Sequence, residues 1–348
     1  MRPAPRRPIT FLALLLTLLL VAAACGGDDD SAASGDASNA GSGAKVQLAL
    51  VAYSTPQEAY EAIIKAFQKT PAGKNVTFTQ SYGASGDQSR AVVAGLDADV
   101  VEFSLEPDMT RLVKEGIVAD DWNSGEHKGF VTDSVVVIGT RKGNPKKLND
   151  WDDLLGKGIE VITPNPFTSG GARWNVMAAY GALSNIGKDD QAGIDYLDEL
   201  FSGHVPVQDD SARKSLQTFA GGKGDAILAY ENEAIFAQQK DEPVDYTVPD
   251  RTIKIENPVA VTTKSKHPKE AKAFLDFLYS DAAQRIFADK GYRPVVDGVA
   301  KSGEFPTPSK LFTIDDLGGW SDVATRFFDP EKGVLVQVET KLGVPLKK

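Results

Sequence analysis

From residue 45 onward the chain alternates short apolar, β-branched runs with segments whose apolar positions recur every three or four residues. Residues 46–52 read as a strand and 57–69 as a helix, with Ala59, Ile63, Ala66 and Phe67 on one face. Ser54 and Thr55 stand at that helix's entrance, and Pro56 occupies its first turn, where a missing N–H is harmless. Strand 76–80 runs through 81–87 into a helix at 88–96; strand 99–103 precedes a helix at 108–115 that Gly116 stops. Residues 131–140 form a long β-branched strand, 149–155 a short amphipathic helix, 159–162 a strand and 172–183 a helix. The second half continues with helix 191–201, strand 205–208, a helix starting at 211–213, an apolar strand at 225–230 and a helix through 239. Extended segments at 246–248 and 252–262 lead to helices at 268–279 and 281–290, with Phe274, Leu275, Phe277 and Leu278 turned inward. Periodicity does not assign the closing region, 310–344, to a domain.

Strands alternating with helices predict a layered α/β body with a mostly parallel sheet. In such sheets ligands gather beyond the carboxyl ends of strands. Ser54, Ser85 and Ser169 each follow a predicted strand and precede a predicted helix, so one rule places all three at one cleft. Around Ser169, strand 159–162 meets Pro164 and Pro166, then Ser169-Gly170-Gly171, then the helix. Two readings fit. Free N–H groups at the helix start, approachable at glycine, make an anion nest; or Ser169 is simply the N-cap of an ordinary turn.

The chain has 348 residues, and those after 44 are enough for about two domains. Residues 1–24 carry Arg2, Arg6 and Arg7, an apolar run, and Ala22-Ala23-Ala24 before Cys25, which is the pattern of a signal peptide. Cys25 is the single cysteine, and its setting resembles a lipobox except that Ala22 stands where leucine is preferred. Lipid attachment at Cys25 is therefore expected, against a free thiol; a twin-arginine signal fits less well because Pro8 follows Arg6-Arg7. Residues 25–44, rich in Gly, Ser, Ala and Asp, form a flexible tether after that cysteine. Loss of the three arginines in 1–24 takes the formal charge from −10 to −13, which argues against nucleic acid as a partner. Any anion bound must then be held by local dipoles.

Enzyme signatures are missing. The stretch Gly83-Ala84-Ser85-Gly86-Asp87 lacks the spacing of a hydrolase elbow, and His127, His204 and His267 fall in no base or metal motif. Gly221-Gly222-Lys223-Gly224 lacks the spacing of a phosphate loop, and Asp28 to Asp30 read as solvated tether acids. No catalytic residue, cofactor or metal is expected.

Several segments, in order, resemble the sulfate and thiosulfate binding proteins of ATP-driven bacterial uptake systems. They are Ser81-Tyr82-Gly83-Ala84-Ser85-Gly86, Arg141-Lys142-Gly143-Asn144-Pro145, Val161-Ile162-Thr163-Pro164-Asn165-Pro166, Ser169-Gly170-Gly171-Ala172-Arg173-Trp174-Asn175, Glu231-Asn232-Glu233-Ala234 and Leu311-Phe312-Thr313-Ile314-Asp315. The resemblance implies a type II periplasmic-binding-protein fold. Lobe I would take 45–132 and 257–318 and lobe II 133–256, with 319–348 unassigned and a hinge at crossings near 131–140 and 246–262. It further implies a monomeric lipoprotein on the outer face of the cell membrane that hands sulfate to an ABC permease. Carried over position by position, backbone donors fall at Ser54, Ser85, Gly170, Gly171 and Ala212, with the Ser169 hydroxyl as a side-chain donor. Tyr230 stands where relatives carry an indole donor, and Ser54 where they commonly have Asp.

A site that only donates hydrogen bonds suits sulfate, which has no proton near neutral pH, and rejects hydrogen phosphate, which needs an acceptor. Asp87, Asp209, Asp210 and Glu231 adjoin the site in sequence, and any of them turned inward would reverse that preference. Arg173 and Arg213 are expected to face carboxylates rather than the anion, by the preference of arginine for acidic partners. The alternatives are a receptor for another oxyanion, such as thiosulfate, molybdate or phosphate, and a tethered serine hydrolase acting through Ser85 or Ser169.

Overall fold

Two long strands run through the middle of the molecule, and everything else is arranged on either side of them. The computed structural model describes residues 45–343. The signal peptide, Cys25, the tether and the last five residues lie outside the described residues. In chain order the elements are β1 (Val46–Tyr53), α1 (Gln57–Phe67), β2 (Val76–Gly83), α2 (Ser85–Val93), β3 (Val100–Glu102), α3 (Glu106–Lys114), β4 (Phe130–Arg141), β5 (Val161–Ile162), α4 (Gly170–Leu183) and α5 (Asp190–Glu199). There follow α6 (Ala212–Ala220), β6 (Ala226–Tyr230), α7 (Glu231–Gln239), β7 (Val244–Thr247), β8 (Arg251–Val261), α8 (Pro268–Leu278), α9 (Asp281–Asp289), β9 (Arg293–Pro294), β10 (Lys310–Phe312), α10 (Gly319–Phe327) and α11 (Val334–Leu342).

The sheet path is β2-β1-β3-β8-β4-β6-β5. β1 pairs in parallel with β2 and β3, and β5 with β6, as strand-helix-strand crossovers require. Antiparallel pairing is concentrated on the long strands: β8 against β3, β4 against β6, and β4 against β8 from Phe130↔Pro258 to Val135↔Lys254. Each long strand thus pairs with its partner along one part and with a different half of the sheet along the other.

Both faces of each half are covered, so buried strands are apolar throughout rather than alternating. In the first half Leu48, Leu50, Tyr60, Phe67, Phe274 and Phe287 fill one side, and Val51, Val101, Phe103 and Met109 the other. In the second half Trp174, Met177, Tyr180 and Leu197 pack on one side, with Ile162, Phe219 and Ile227 opposite. The closing region joins that second core, since Trp320, Phe327 and Leu335 pack with it and Trp174 meets Trp320 edge-on with ring centroids 4.7 Å apart.

Local differences from the sequence reading have physical causes. The expected strand at 205–208 is reduced to one bridge, Val207 to Ile162, because Pro206 has no N–H to give a ladder. Residues 149–155 make a single 3-10 turn at Trp151–Leu155, closed by reciprocal Asp150 and Asp153 caps. The helix expected at 88–96 starts three residues earlier, at Ser85, and ends before Gly95, whose φ of 106° stops it. That earlier start puts Ser85 in the first turn.

Candidate functional site

Three helices begin at residues picked out from the sequence: α2 at Ser85, α4 at Gly170 and α6 at Ala212. The first N–H groups of a helix have no partner inside it and sit at its positive end. At α4 the N-cap Ser169 does not close its own helix, so the N–H groups of Gly170 and Gly171 stay uncapped. Ser169's N–H is used by Asn165 O at 2.9 Å, but its hydroxyl bonds to nothing among the described residues. At α2 the Gly86 N–H goes to Thr168 O at 3.2 Å, which ties the start of α2 to the loop before α4.

The space around Gly171 shows how these residues meet. A Cβ placed there would lie 3.4 Å from the Ala212 Cβ and 3.5 Å from both the Ser169 hydroxyl and the Tyr230 ring. Gly170 is tighter, since its Cβ would stand 2.6 Å from Ser104 Oγ. Ser104 in turn donates its N–H to Ser85 Oγ at 3.0 Å, and its hydroxyl lies 2.6 Å from that of Tyr230. Ser169, Ala212 and Tyr230 therefore meet at Gly171, and Ser104 stands beside Ser85, Gly170 and Tyr230. Ser54 lies in the turn between β1 and α1; the next residue, Thr55, accepts at its carbonyl from Arg213, the neighbour of Ala212, at 2.9 Å.

Sequence reasoning missed Ser104. It follows β3 directly, so the strand-end rule that found the other serines would have found it too. Its carbonyl accepts from Trp174 Nε1 at 2.7 Å and Asn257 Nδ2 at 3.1 Å, which fixes the loop. Asp108 was missed as well; it accepts from the Ser85 hydroxyl at 2.6 Å and pairs with Arg111 at 2.8 Å.

A family model described as "Bacterial extracellular solute-binding protein" matches residues 48–293. A sulfate-binding protein of Synechococcus elongatus is 42% identical over 303 residues, covering 84% of this chain and 86% of the relative. The chain belongs to the sulfate- and thiosulfate-binding family of bacterial extracellular solute-binding proteins. A thiosulfate-binding protein of Pseudomonas aeruginosa is 33% identical, covering 85% of this chain and 94% of the relative. The solved sulfate-binding protein SubI of Mycobacterium tuberculosis H37Rv aligns with a TM-score of 0.80 at 47% identity, covering 82% of this chain and all of that one.

For a member of this family the charges beside the site matter as much as its donors. Asp87 pairs with Arg90 at 2.7 Å, Asp210 with Lys214 at 2.7 Å and Glu231 with Arg293 at 2.8 Å. Asp209 accepts at one oxygen from the Thr218 hydroxyl at 3.1 Å. Arg213 meets the expectation for it, holding Glu58 and Glu233 at 2.7 and 2.9 Å, and these acids hold its pKa up against burial. Arg173 departs from that expectation, because it makes no ion pair among the described residues. Its Nε donates to Pro166 O at 2.8 Å and its guanidinium lies 4.7 Å from the Phe328 ring centroid. Burial pulls its pKa down; the charge of Asp108 opposes that, while Arg111 and Arg90 add to it.

The histidines are engaged elsewhere: His127 stacks on Tyr279, His204 Nδ1 lies 3.0 Å from Ile159 O, and His267 precedes α8. Among the described residues no group of three His, Cys, Asp or Glu is placed to hold a metal ion.

Proposed function

We propose that this chain captures sulfate, or thiosulfate, between its two halves and delivers it to an ABC permease. The observation that carries this reading is the meeting of the starts of α4 and α6 at Gly171, beside Ser169 and Tyr230, with the start of α2 tied to the same loop through Gly86 and Thr168. Backbone N–H groups at Ser54, Ser85, Gly170, Gly171 and Ala212, with the hydroxyls of Ser169 and Tyr230, supply the donors. Asp87, Asp210 and Glu231 are each paired with a cation. Neutral donors bind an anion less strongly than charge-assisted ones, which suits a carrier that must release its cargo.

The lobes in this proposal are 45–132 with 257–318 and 133–256, hinged on β4 and β8, and the closing region rides on the second lobe. The protein acts as a receptor and not as an enzyme; the Ser85 hydroxyl is held by Asp108 and no histidine serves either serine. It is exported, works as a monomer, and is anchored through a lipid on Cys25. Calorimetric titration with sulfate, thiosulfate, molybdate and phosphate tests the reading. Heat with sulfate or thiosulfate supports it, heat only with molybdate or phosphate moves it to another oxyanion, and heat with none overturns it.

A further inference from the structure

Ser104 follows β3 and Tyr230 ends β6, and both side chains are buried, each about 1% exposed. Their hydroxyl oxygens lie 2.6 Å apart, and neither hydroxyl proton has any other acceptor among the described residues. Two hydroxyls carry two protons, and their mutual bond uses one. The other is left buried without a partner, which is unfavourable unless something accepts it. Tyr230 presents Cε1, the ring carbon one bond from the carbon that bears its hydroxyl, 3.5 Å from the Cβ position of Gly171, beside the Ser169 hydroxyl and Ala212, so the phenol stands at the edge of that space.

We propose that Ser104 is a specificity-determining positioning residue, which by donating to the Tyr230 oxygen commits the phenol to donate to the ligand. A lone phenol can donate or accept, but this pair can only donate. If a ligand proton were offered to Tyr230, its own proton would turn to Ser104, and the Ser104 proton would be stranded. Asn257 reinforces the arrangement, since its amide, like the Ser104 hydroxyl, favours negative charge on the Tyr230 oxygen. The pair thereby gives an anion's proton no acceptor at this point and disfavours anions that carry one. This inference rests on the oxyanion-receptor reading and adds the residue that sets its selectivity.

The test is calorimetric titration with sulfate and with phosphate at pH 8 on the full chain, Ser104→Ala, Ser104→Thr, Tyr230→Phe and the Ser104→Ala/Tyr230→Phe double variant. In Ser104→Ala the ratio of sulfate to phosphate affinity should fall about three- to tenfold, the worth of one neutral hydrogen bond. Ser104→Thr keeps a hydroxyl and should keep the ratio. Tyr230→Phe should lower it as Ser104→Ala does, and the double variant no further than either single one. Should Ser104→Ala fail to fold, Ser104→Cys, which puts a much weaker donor of similar size in place of the hydroxyl, carries the same contrast. An unchanged ratio in Ser104→Ala, additive losses in the double variant, or a loss in Ser104→Thr equal to that in Ser104→Ala would overturn the role of Ser104. No heat with sulfate on the unaltered chain would overturn the receptor reading itself.

Discussion

Arg213 and Glu58 join the two halves of the molecule through a forked pair, Nη1 donating to Oε1 at 2.7 Å and Nη2 to Oε2 at 3.1 Å. The same guanidinium holds Glu233, which is about 1% exposed, and caps the carbonyl of Thr55. The two acids are therefore unequal. Glu58 is partly exposed and belongs to α1, so Glu58→Gln should weaken the link between α1 and α6 and lower sulfate affinity, with a stability change within about 1 kcal/mol. Arg213→Met leaves Glu233 buried and uncompensated and should cost about 3 to 5 kcal/mol of stability. Denaturant unfolding of both variants, with sulfate titration of the first, checks this ordering.

Gly170 and Gly171 are adjacent but should fail in different ways. A Cβ at Gly170 would stand 2.6 Å from Ser104 Oγ and 2.7 Å from its Cβ, closer than real atoms come. Gly170→Ala should therefore lose about 1 to 3 kcal/mol of stability through overpacking. At Gly171 the nearest atoms are 3.4 Å away, an ordinary contact, so Gly171→Ala should fold within about 0.5 kcal/mol of the parent. Its methyl group would instead occupy the space between Ser169, Ala212 and Tyr230, and sulfate affinity should fall on the order of tenfold or more. Thermal melts and titrations of the two variants separate these effects.

Glu102 sits at the end of β3, fully buried, and among the described residues neither of its carboxyl oxygens has a partner in good hydrogen-bond geometry. Burial pushes its pKa from 4.5 to about 8, with only the Tyr60 hydroxyl pulling the other way. Tyr53, Tyr60, Tyr82, Tyr279 and Tyr292 all feel its charge, and none of them supplies a cation. Because the folded pKa is the higher one, the folded state holds the proton more tightly. That stability is fully present below about pH 4.5 and is lost as pH rises through about 8. Asp133 and Glu339, raised to about 6 and about 7, act with the same sign. Glu102→Gln should therefore gain on the parent by a few kcal/mol, at about 1.4 per pH unit, between pH 5 and pH 9. Unfolding free energies of both proteins at the two pH values check the sign.

Much of the site was legible because it depends on local rules. A strand end followed by a small residue and a helix start puts Ser54, Ser85 and Ser169 at equivalent junctions without any tertiary knowledge. Ala212 and Tyr230 also stand at strand-to-helix junctions, after 205–208 and at the end of 225–230, but their assignment rests on the family resemblance. Arg213 followed the general preference of arginine for acids, but the identity of Glu58, 155 residues away, depends on how α1 and α6 pack. Arg173 did not follow it, because its neighbours are set by Phe328 in the closing region, which periodicity could not place. The pairing of β4 with β8 is likewise long-range: hydrophobic pattern showed two extended segments, and only the folded sheet shows them side by side.

A crystal structure of the chain with sulfate would show whether a tetrahedral anion is held here by neutral donors alone. Sulfate oxygens should lie within about 2.7 to 3.2 Å of the N–H groups of Ser54, Ser85, Gly170, Gly171 and Ala212 and of the hydroxyls of Ser169 and Tyr230. Sulfate seated instead against the guanidinium of Arg173, Arg111 or Arg90, or away from Gly171, would contradict it.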